Sequence, residues 1–241
     1  MKTLLLKFSG PLQSWGTTAH FETRHTDRYP SKSAVIGLIA ASLGYRRDED
    51  EKVQPLNQLD FGVRLDQEGS MLRDYHIAQK YKANGAFDRT YVTNRYYLED
   101  AVYVVAIGHE DDTLIERIEN GLKYPYFQPF MGRRSLPLPA DFIIGTYEMS
   151  VLECLENHPW QAANWYQQQH TNLLSAYVES ELAEEGIRRM RQDRVESFSQ
   201  MNRRFGFRGE TEITIRVTTN ILEKTTDDME HDPFDVFGGG S

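Results

Sequence analysis

The chain has 241 residues, 39% of them hydrophobic and 26% charged, with a net charge of −9 at neutral pH, an ordinary globular composition with material for one sizeable core. It offers no apolar stretch of the roughly 20 residues a membrane span needs and no basic-then-apolar secretory leader. Cys154 is the single cysteine, which excludes an internal disulfide framework, argues against a Cys-based zinc site and leads us to expect a reducing, cytoplasmic location.

In chain order, Leu4 to Phe8 reads as a buried strand that runs into Gly10-Pro11-Leu12-Gln13-Ser14-Trp15-Gly16. After a polar stretch, Tyr29-Pro30-Ser31-Lys32-Ser33 opens the apolar run Ala34 to Leu43, which stops at Gly44. Ser31 or Ser33 can cap that helix, and Gly44 suits its end. Such a strand–loop–helix entry presents N–H groups, hydroxyls and an aromatic ring at one sheet end, a place suited to phosphates and stacked bases. Phe61 to Leu65 alternates as a strand, and Glu68-Gly69-Ser70 turns into Met71 to His76. The stretch from about 79 to 97 is rich in Tyr, Lys, Arg, Thr and Asn, poor in aliphatics, and holds the turn signal Asn84-Gly85; it reads as a protruding hairpin.

Ala101 to Ile107 is a further strand, and Asp111 or Asp112 caps a helix whose apolar face is Leu114, Ile115, Ile118 and Leu122. Residues 125–139 form a loop with four prolines, and Phe142 to Met149 is the next strand. This order predicts an α+β chain with a modified ferredoxin-like, RNA-recognition-motif arrangement and an inserted hairpin. Its helices are expected on one face, leaving the other sheet face free to bind. Residues 1–150 are read as that core and 151–224 as a small β-rich C-terminal extension, with a short helix in Ala162 to His170 and a strand at Ile213 to Val217. Residues 225–241 are read as an acidic, mobile tail that ends in Gly238-Gly239-Gly240-Ser241, which resembles an engineered linker.

The net charge argues against nucleic acid as a partner, but the basic residues gather at Arg73 to Arg95, Arg133-Arg134 and Arg188 to Arg208, and binding follows local potential. Trp15 either stacks on a ligand or caps the core. Arg133 and Arg134, with Ser135, sit in a loop where guanidinium forks suit phosphate; the bland alternative is a solvated pair or a protein contact. In Leu72-Arg73-Asp74-Tyr75-His76, alternation puts Arg73 and Tyr75 on one face and Asp74 and His76 on the other. That pattern fits RNA contact, a His76-dependent cleavage, or a merely structural Asp–Arg and His pairing. The arginines from 188 to 208 fit a salt-bridged strand pair as well as they fit a partner surface. His20 and His25, with Glu22 and Asp27, match no metal-ligand spacing, so no metal is expected. No P-loop or dinucleotide fingerprint is present, and no cofactor is expected.

The segments 10–16, 29–38, 72–76 and 132–138, in this order, resemble the CasD family of subunits of the subtype I-E CRISPR surveillance complex, Cascade, within the RAMP superfamily. The resemblance covers the first 150 residues well and is looser beyond, where Arg191 to Phe198 is similar to a family element. It implies a modified RNA-recognition-motif fold with a hairpin thumb. It further implies a non-catalytic subunit that binds the CRISPR RNA 5′ handle, caps the backbone of repeated subunits, touches the large subunit and meets target DNA only through the complex.

Carried onto this chain, the resemblance places Gln13, Ser14, Trp15, Lys32, Ser33, Arg73, Tyr75, His76, Arg133, Arg134 and Ser135 near the RNA. Lys80, Lys82, Arg89 and Arg95 fall on the thumb. The rival reading is a metal-independent endoribonuclease using Tyr29, Lys32, Tyr75, His76 and Lys80, as in the related subtype I-C subunit. A third is a protein-interaction module with an acidic surface.

Overall fold

The computed structural model describes residues 1–16 and 22–219, so His20 and the acidic tail fall outside the described residues. β1 (Lys2–Ser9) carries the apolar run Leu4-Leu5-Leu6, then Lys7 and Phe8, because both of its faces are covered. Leu4, Leu6 and Phe8 enter one core and Leu5 the other. β2 (Leu12–Gln13) and β3 (Thr23–Arg24) are short. α1 (Lys32–Ser42) starts where the Ser31 hydroxyl accepts from the Ala34 N–H, the expected cap. α2 (Asp50–Val53) and a 3-10 turn at Gln54–Gln58 lead into β4 (Asp60–Gln67).

β5 (Ser70–Tyr81) and β6 (Phe87–Glu99) form the hairpin, followed by β7 (Val102–His109). α3 (Asp112–Lys123) is capped by Asp111 and buries Ile115, Ile118 and Leu122, a one-sided helical spacing. β8 (Ile143–Tyr147) precedes α4 (Val151–Asn157), which opens with a reciprocal Ser150–Glu153 capping box. α5 (Asn164–Gln169), β9 (Leu173–Glu179), β10 (Ile187–Ser197) and β11 (Arg204–Arg216) complete the described chain.

The main sheet has seven strands in the order β10-β11-β9-β4-β7-β1-β8, with antiparallel neighbours throughout. The three C-terminal strands thus extend the same sheet through the β4–β9 pairing. α1 and α3 supply Val35, Ile36, Ile39, Ile115 and Ile118 to one face. The opposite face is not free, in contrast to the sequence expectation. Val151, Cys154 and Leu155 of α4 and the buried Trp160 cover it, packing on Leu5, Val104, Ala106 and Val178. Buried Arg64 fixes this cover by donating to the Leu155, His158 and Pro159 carbonyls while pairing with Asp66.

A second, four-stranded sheet is built on β6, which pairs with β5 and also with β2 and β3. The hairpin is longer than the expected 79–97, because pairing runs from Ser70↔Glu99 to Tyr81↔Phe87, with one register shift between Lys80 and Tyr81. Residues 70–78 alternate like a core strand, yet they project with the rest. No helix among the described residues is long and apolar enough to cross a membrane.

Candidate nucleic-acid interface

The glycine-flanked loop after β1 turns its polar groups inward. The Gln13 amide donates to the Ala101 carbonyl at 2.7 Å, and the Trp15 indole donates to Gln13 Oε1 at 3.0 Å. Trp15 is only 1% exposed and lies 5.1 Å from the Phe8 ring. Ser14 is buried too, its backbone N–H bonded to the Met131 carbonyl. These three side chains therefore build the loop from inside and expose no stacking surface, which corrects the expectation of direct contact. In a buried amide and indole that satisfy each other the hydrogen bond offsets the cost of leaving water, which is why polar types can sit there.

Lys32 and Ser33 are likewise interior. Lys32 Nζ donates to the Asn57 carbonyl at 2.7 Å, the Leu59 carbonyl at 2.6 Å and Glu179 Oε1 at 2.7 Å. Burial pushes the lysine below its ordinary pKa, opposed by the Glu179 charge. Ser33 Oγ lies 3.1 Å from Ser31 Oγ. The first N–H of α1, expected to favour a phosphate, already donates to Asp193 Oδ2 at 2.8 Å. An aspartate of the chain itself fills the anion position that the helix N-terminus favours.

The hairpin is the reverse case. Arg73, Tyr75 and Ile77 alternate outward, and Tyr75 is 57% exposed. Asp74 and His76 share the other face, as the sequence predicts, and touch through a close Oδ2–Nε2 contact. Arg73 donates to Asn94 across the strands at 3.0 Å. Lys80 and Arg89 both lean on Asp88, at 3.4 and 3.7 Å, and Lys82 is exposed near the turn. Arg95 is half-buried beside Asp74, and its Nε has no hydrogen-bond partner among the described residues.

Sequence reasoning overlooks the exposed aromatic and apolar set here: Ile77, Tyr81, Phe87, Tyr91 and Val92. The signal for it is the tyrosine frequency itself, which is high for a segment without a core to fill. Exposed apolar side chains interleaved with cations on a projecting two-stranded ribbon can stack bases and pair phosphates.

The loop carrying Gly132 sits against the hairpin base. Gly132 has φ +82°, and a Cβ there would collide with the Ser14 carbonyl, so the two loops touch backbone to backbone. Arg133 Nη2 donates to the carbonyls of Arg24 at 3.1 Å and Tyr96 at 3.0 Å, and its guanidinium lies 4.1 Å over the Tyr97 ring. It braces the hairpin, while Nη1 is buried without a partner among the described residues. Arg134 and Ser135 are exposed. Arg134 lines a cleft of about 360 Å³ with Phe127, Gln128, Pro129, Phe130 and Pro137.

Exposed Arg24 and His25 border the same base, with His25 stacked 5.2 Å from Tyr96. The sequence singles out His25 only as a metal-ligand candidate and Arg24 not at all, because a loop without periodicity gives no hint of what it faces. The C-terminal arginines divide. Arg189, Arg191 and Arg208 converge with Asp193 on Glu210, and Arg191 reaches Asp27. Tyr29 stacks 4.0 Å from Tyr177 between Arg191 and Arg189. Among the described residues no group of three or more His, Cys, Asp or Glu could hold a metal ion.

Comparison with known proteins fits this geometry. A family profile described as "CRISPR-associated protein (Cas_Cas5)" matches residues 3–209. The "CRISPR system Cascade subunit CasD" of Escherichia coli (strain K12) is 33% identical over 162 residues, covering 61% of this chain and 72% of that protein. A chain of a solved "CRISPR RNA-guided surveillance complex" superposes with a TM-score of 0.73 at 30% identity, over 89% of this chain and 90% of its own. A second, described as "Crystal structure of Cas protein", gives a TM-score of 0.64 at 34% identity, over 89% and 97%.

Proposed function

The chain belongs to the CRISPR-associated Cas5 family, and from that premise we propose that it is a non-catalytic subunit of a Cascade-type, RNA-guided DNA surveillance complex in antiviral defence. In this reading it binds the 5′ handle of the CRISPR RNA, caps the backbone of repeated subunits and meets the large subunit. Target DNA is reached only through the complex, in the cytoplasm and without a membrane.

We read the β8-β1-β7-β4 order with α1 and α3 on one face as a modified ferredoxin-like unit, and the β5–β6 hairpin as its thumb. The observation that carries the proposal is that hairpin. It is a twelve-residue strand paired with a thirteen-residue one, with cations and aromatic rings turned outward on an otherwise acidic chain. Its cations pair phosphates and its rings stack unpaired bases, a combination suited to single-stranded RNA. Arg133, Arg24 and His25 brace the base of the ribbon.

The non-catalytic part of the proposal is supported by where the rival's residues lie. Tyr29 donates to Glu210 at 2.8 Å and is stacked on Tyr177, and Lys32 is held by three internal acceptors. Tyr75, His76 and Lys80 are on the hairpin. General acid–base work needs its groups within hydrogen-bond reach of one reacting atom, and these five are divided between a buried network and an exposed ribbon.

The test is labelled repeat RNA incubated in chelator with the chain, alone and with the backbone subunit, then run on native and denaturing gels from the same tubes. A shifted, intact band is expected. A shortened band abolished by His76→Ala would replace this reading with the endoribonuclease.

A further inference from the structure

The acidic C-terminal segment leaves the fold beside the hairpin. β11 ends at Arg216, opposite Leu173 of β9, and β9 pairs with β4 through Arg64↔Ala176. Trp160 closes the geometry: its backbone N–H donates to the Thr218 carbonyl at 3.1 Å and its indole to the Asp66 carbonyl at 2.6 Å. One residue after Thr218 the described chain ends, and four residues after Asp66 the hairpin begins at Ser70. The exit of the tail and the root of the hairpin thus hang from one tryptophan.

The two segments are complementary. Residues 220–237 hold Glu223, Asp227, Asp228, Glu230, Asp232 and Asp235 against Lys224 alone, together with Met229, Phe234 and Phe237. The hairpin holds Arg73, Lys80, Lys82, Arg89 and Arg95 against Asp74, Asp88 and Glu99, with its exposed aromatic and aliphatic side chains. A twelve-residue strand is about 40 Å long at roughly 3.3 Å per residue, and eighteen extended residues span up to about 60 Å, so the tail can follow the whole ribbon. Tethering at the root sets a high effective concentration for the contact, in the millimolar range for a short flexible link.

We infer that the acidic segment 220–237 docks on the β5–β6 hairpin of its own chain, its carboxylates on the hairpin cations and its phenylalanines on the exposed rings. Where the hairpin binds RNA, which rests on the function proposed above, the tail is an internal polyanion that RNA must displace. Non-specific polyanions then compete poorly, while a ligand with many simultaneous contacts still wins.

The test uses three full-length chains. They are the unaltered protein; a tail-neutral variant (E223Q, D227N, D228N, E230Q, D232N, D235N); and the same variant with K80A, K82A and R89A. The probe is a labelled synthetic peptide of residues 220–237, followed by fluorescence anisotropy at about 50 and about 500 mM salt. The peptide should bind the tail-neutral chain in a salt-sensitive way, several-fold more weakly to the unaltered chain whose site is occupied, and least to the hairpin variant. Failure to bind the tail-neutral chain, or equal binding with and without the hairpin cations, overturns the inference. General charge repulsion orders the three chains by net charge and so places the unaltered chain last, whereas docking places the hairpin variant last.

Repeat RNA is titrated in parallel. If the tail covers the hairpin about four-fifths of the time, neutralising it raises apparent RNA affinity about fivefold. Peptide binding at the hairpin without RNA binding upholds the docking and removes the RNA reading. RNA binding at the hairpin without peptide binding removes the docking alone.

Discussion

Lys32 Nζ lies 2.7 Å from Glu179 Oε1, joining the first residue of α1 to the last residue of β9. Burial pushes the lysine down and the glutamate up from their ordinary pKa values, and the mutual attraction opposes both shifts. Removing one partner of such a pair leaves the other buried and uncompensated. Lys32→Met is therefore expected to cost about 3 kcal/mol, and adding Glu179→Leu should recover much of it. Chemical denaturation of the two variants checks this. A single variant as stable as the parent would mean that the pair does not hold the helix to the sheet.

Arg133 and Arg134 are neighbours in sequence with separable roles. Arg133→Ala removes two hydrogen bonds to carbonyls and a stack on Tyr97, so the melting temperature should fall. Arg134→Ala should leave melting unchanged and, if the loop meets phosphate, reduce the slope of log affinity against log salt by about 1. Equal melting losses in both variants would contradict the assignment.

Gly132→Ala places a Cβ at φ +82° against the Ser14 carbonyl. Backbone strain of this kind costs of order 1–3 kcal/mol before the collision is counted. The variant should be less stable than Ser135→Ala, an exposed change three residues away. Comparable stability of the two would show that the loops do not need their close approach.

Glu210 contributes to the acid limb. Burial alone pushes its carboxyl up, but the charges of Arg191 and Arg208 and the Tyr29 hydroxyl outweigh it and hold the group below its ordinary 4.5. A carboxyl depressed on folding adds stability above its unfolded value, and that stability is lost as pH falls through the folded one. Between pH 7 and 3 the parent should therefore lose stability below about pH 4.5 more steeply than Glu210→Gln. Parallel curves would mean that the arginines do not bias this carboxyl.

The residue pattern made much of the core legible. The apolar run of β1, the Ser31 and Asp111 caps and the spacing of Ile115, Ile118 and Leu122 are short-range signals, and the structure carries each one. The root of the hairpin was hidden because Met71 to His76 alternates as a half-buried strand would, and periodicity does not say whether a strand lies on a core. β9 was hidden, and β10 and β11 were legible only as one of two readings of Arg188 to Arg208 and as a strand at Ile213 to Val217. Arg191, Asp193, Arg208 and Glu210 are charged residues that pair inside, so a hydropathy pattern reads them as surface.

The same limit applies to the site. Gln13, Trp15 and Lys32 are chemically apt for ligand contact, and only their internal partners reveal that they are occupied. The residues left facing solvent among the described ones, Tyr75, Lys82 and Arg134, are those a binding surface has available.

The most direct measurement compares the full-length chain with its K80A, K82A, R89A variant for binding of labelled repeat RNA over a salt series, with melting curves on the same preparations. Each cation–phosphate pairing removed lowers the salt slope by about 0.7 for a single strand. The account expects unchanged melting, weaker binding and a slope reduced by about 2. Unchanged affinity and slope in a folded variant would contradict the hairpin as the RNA-binding element.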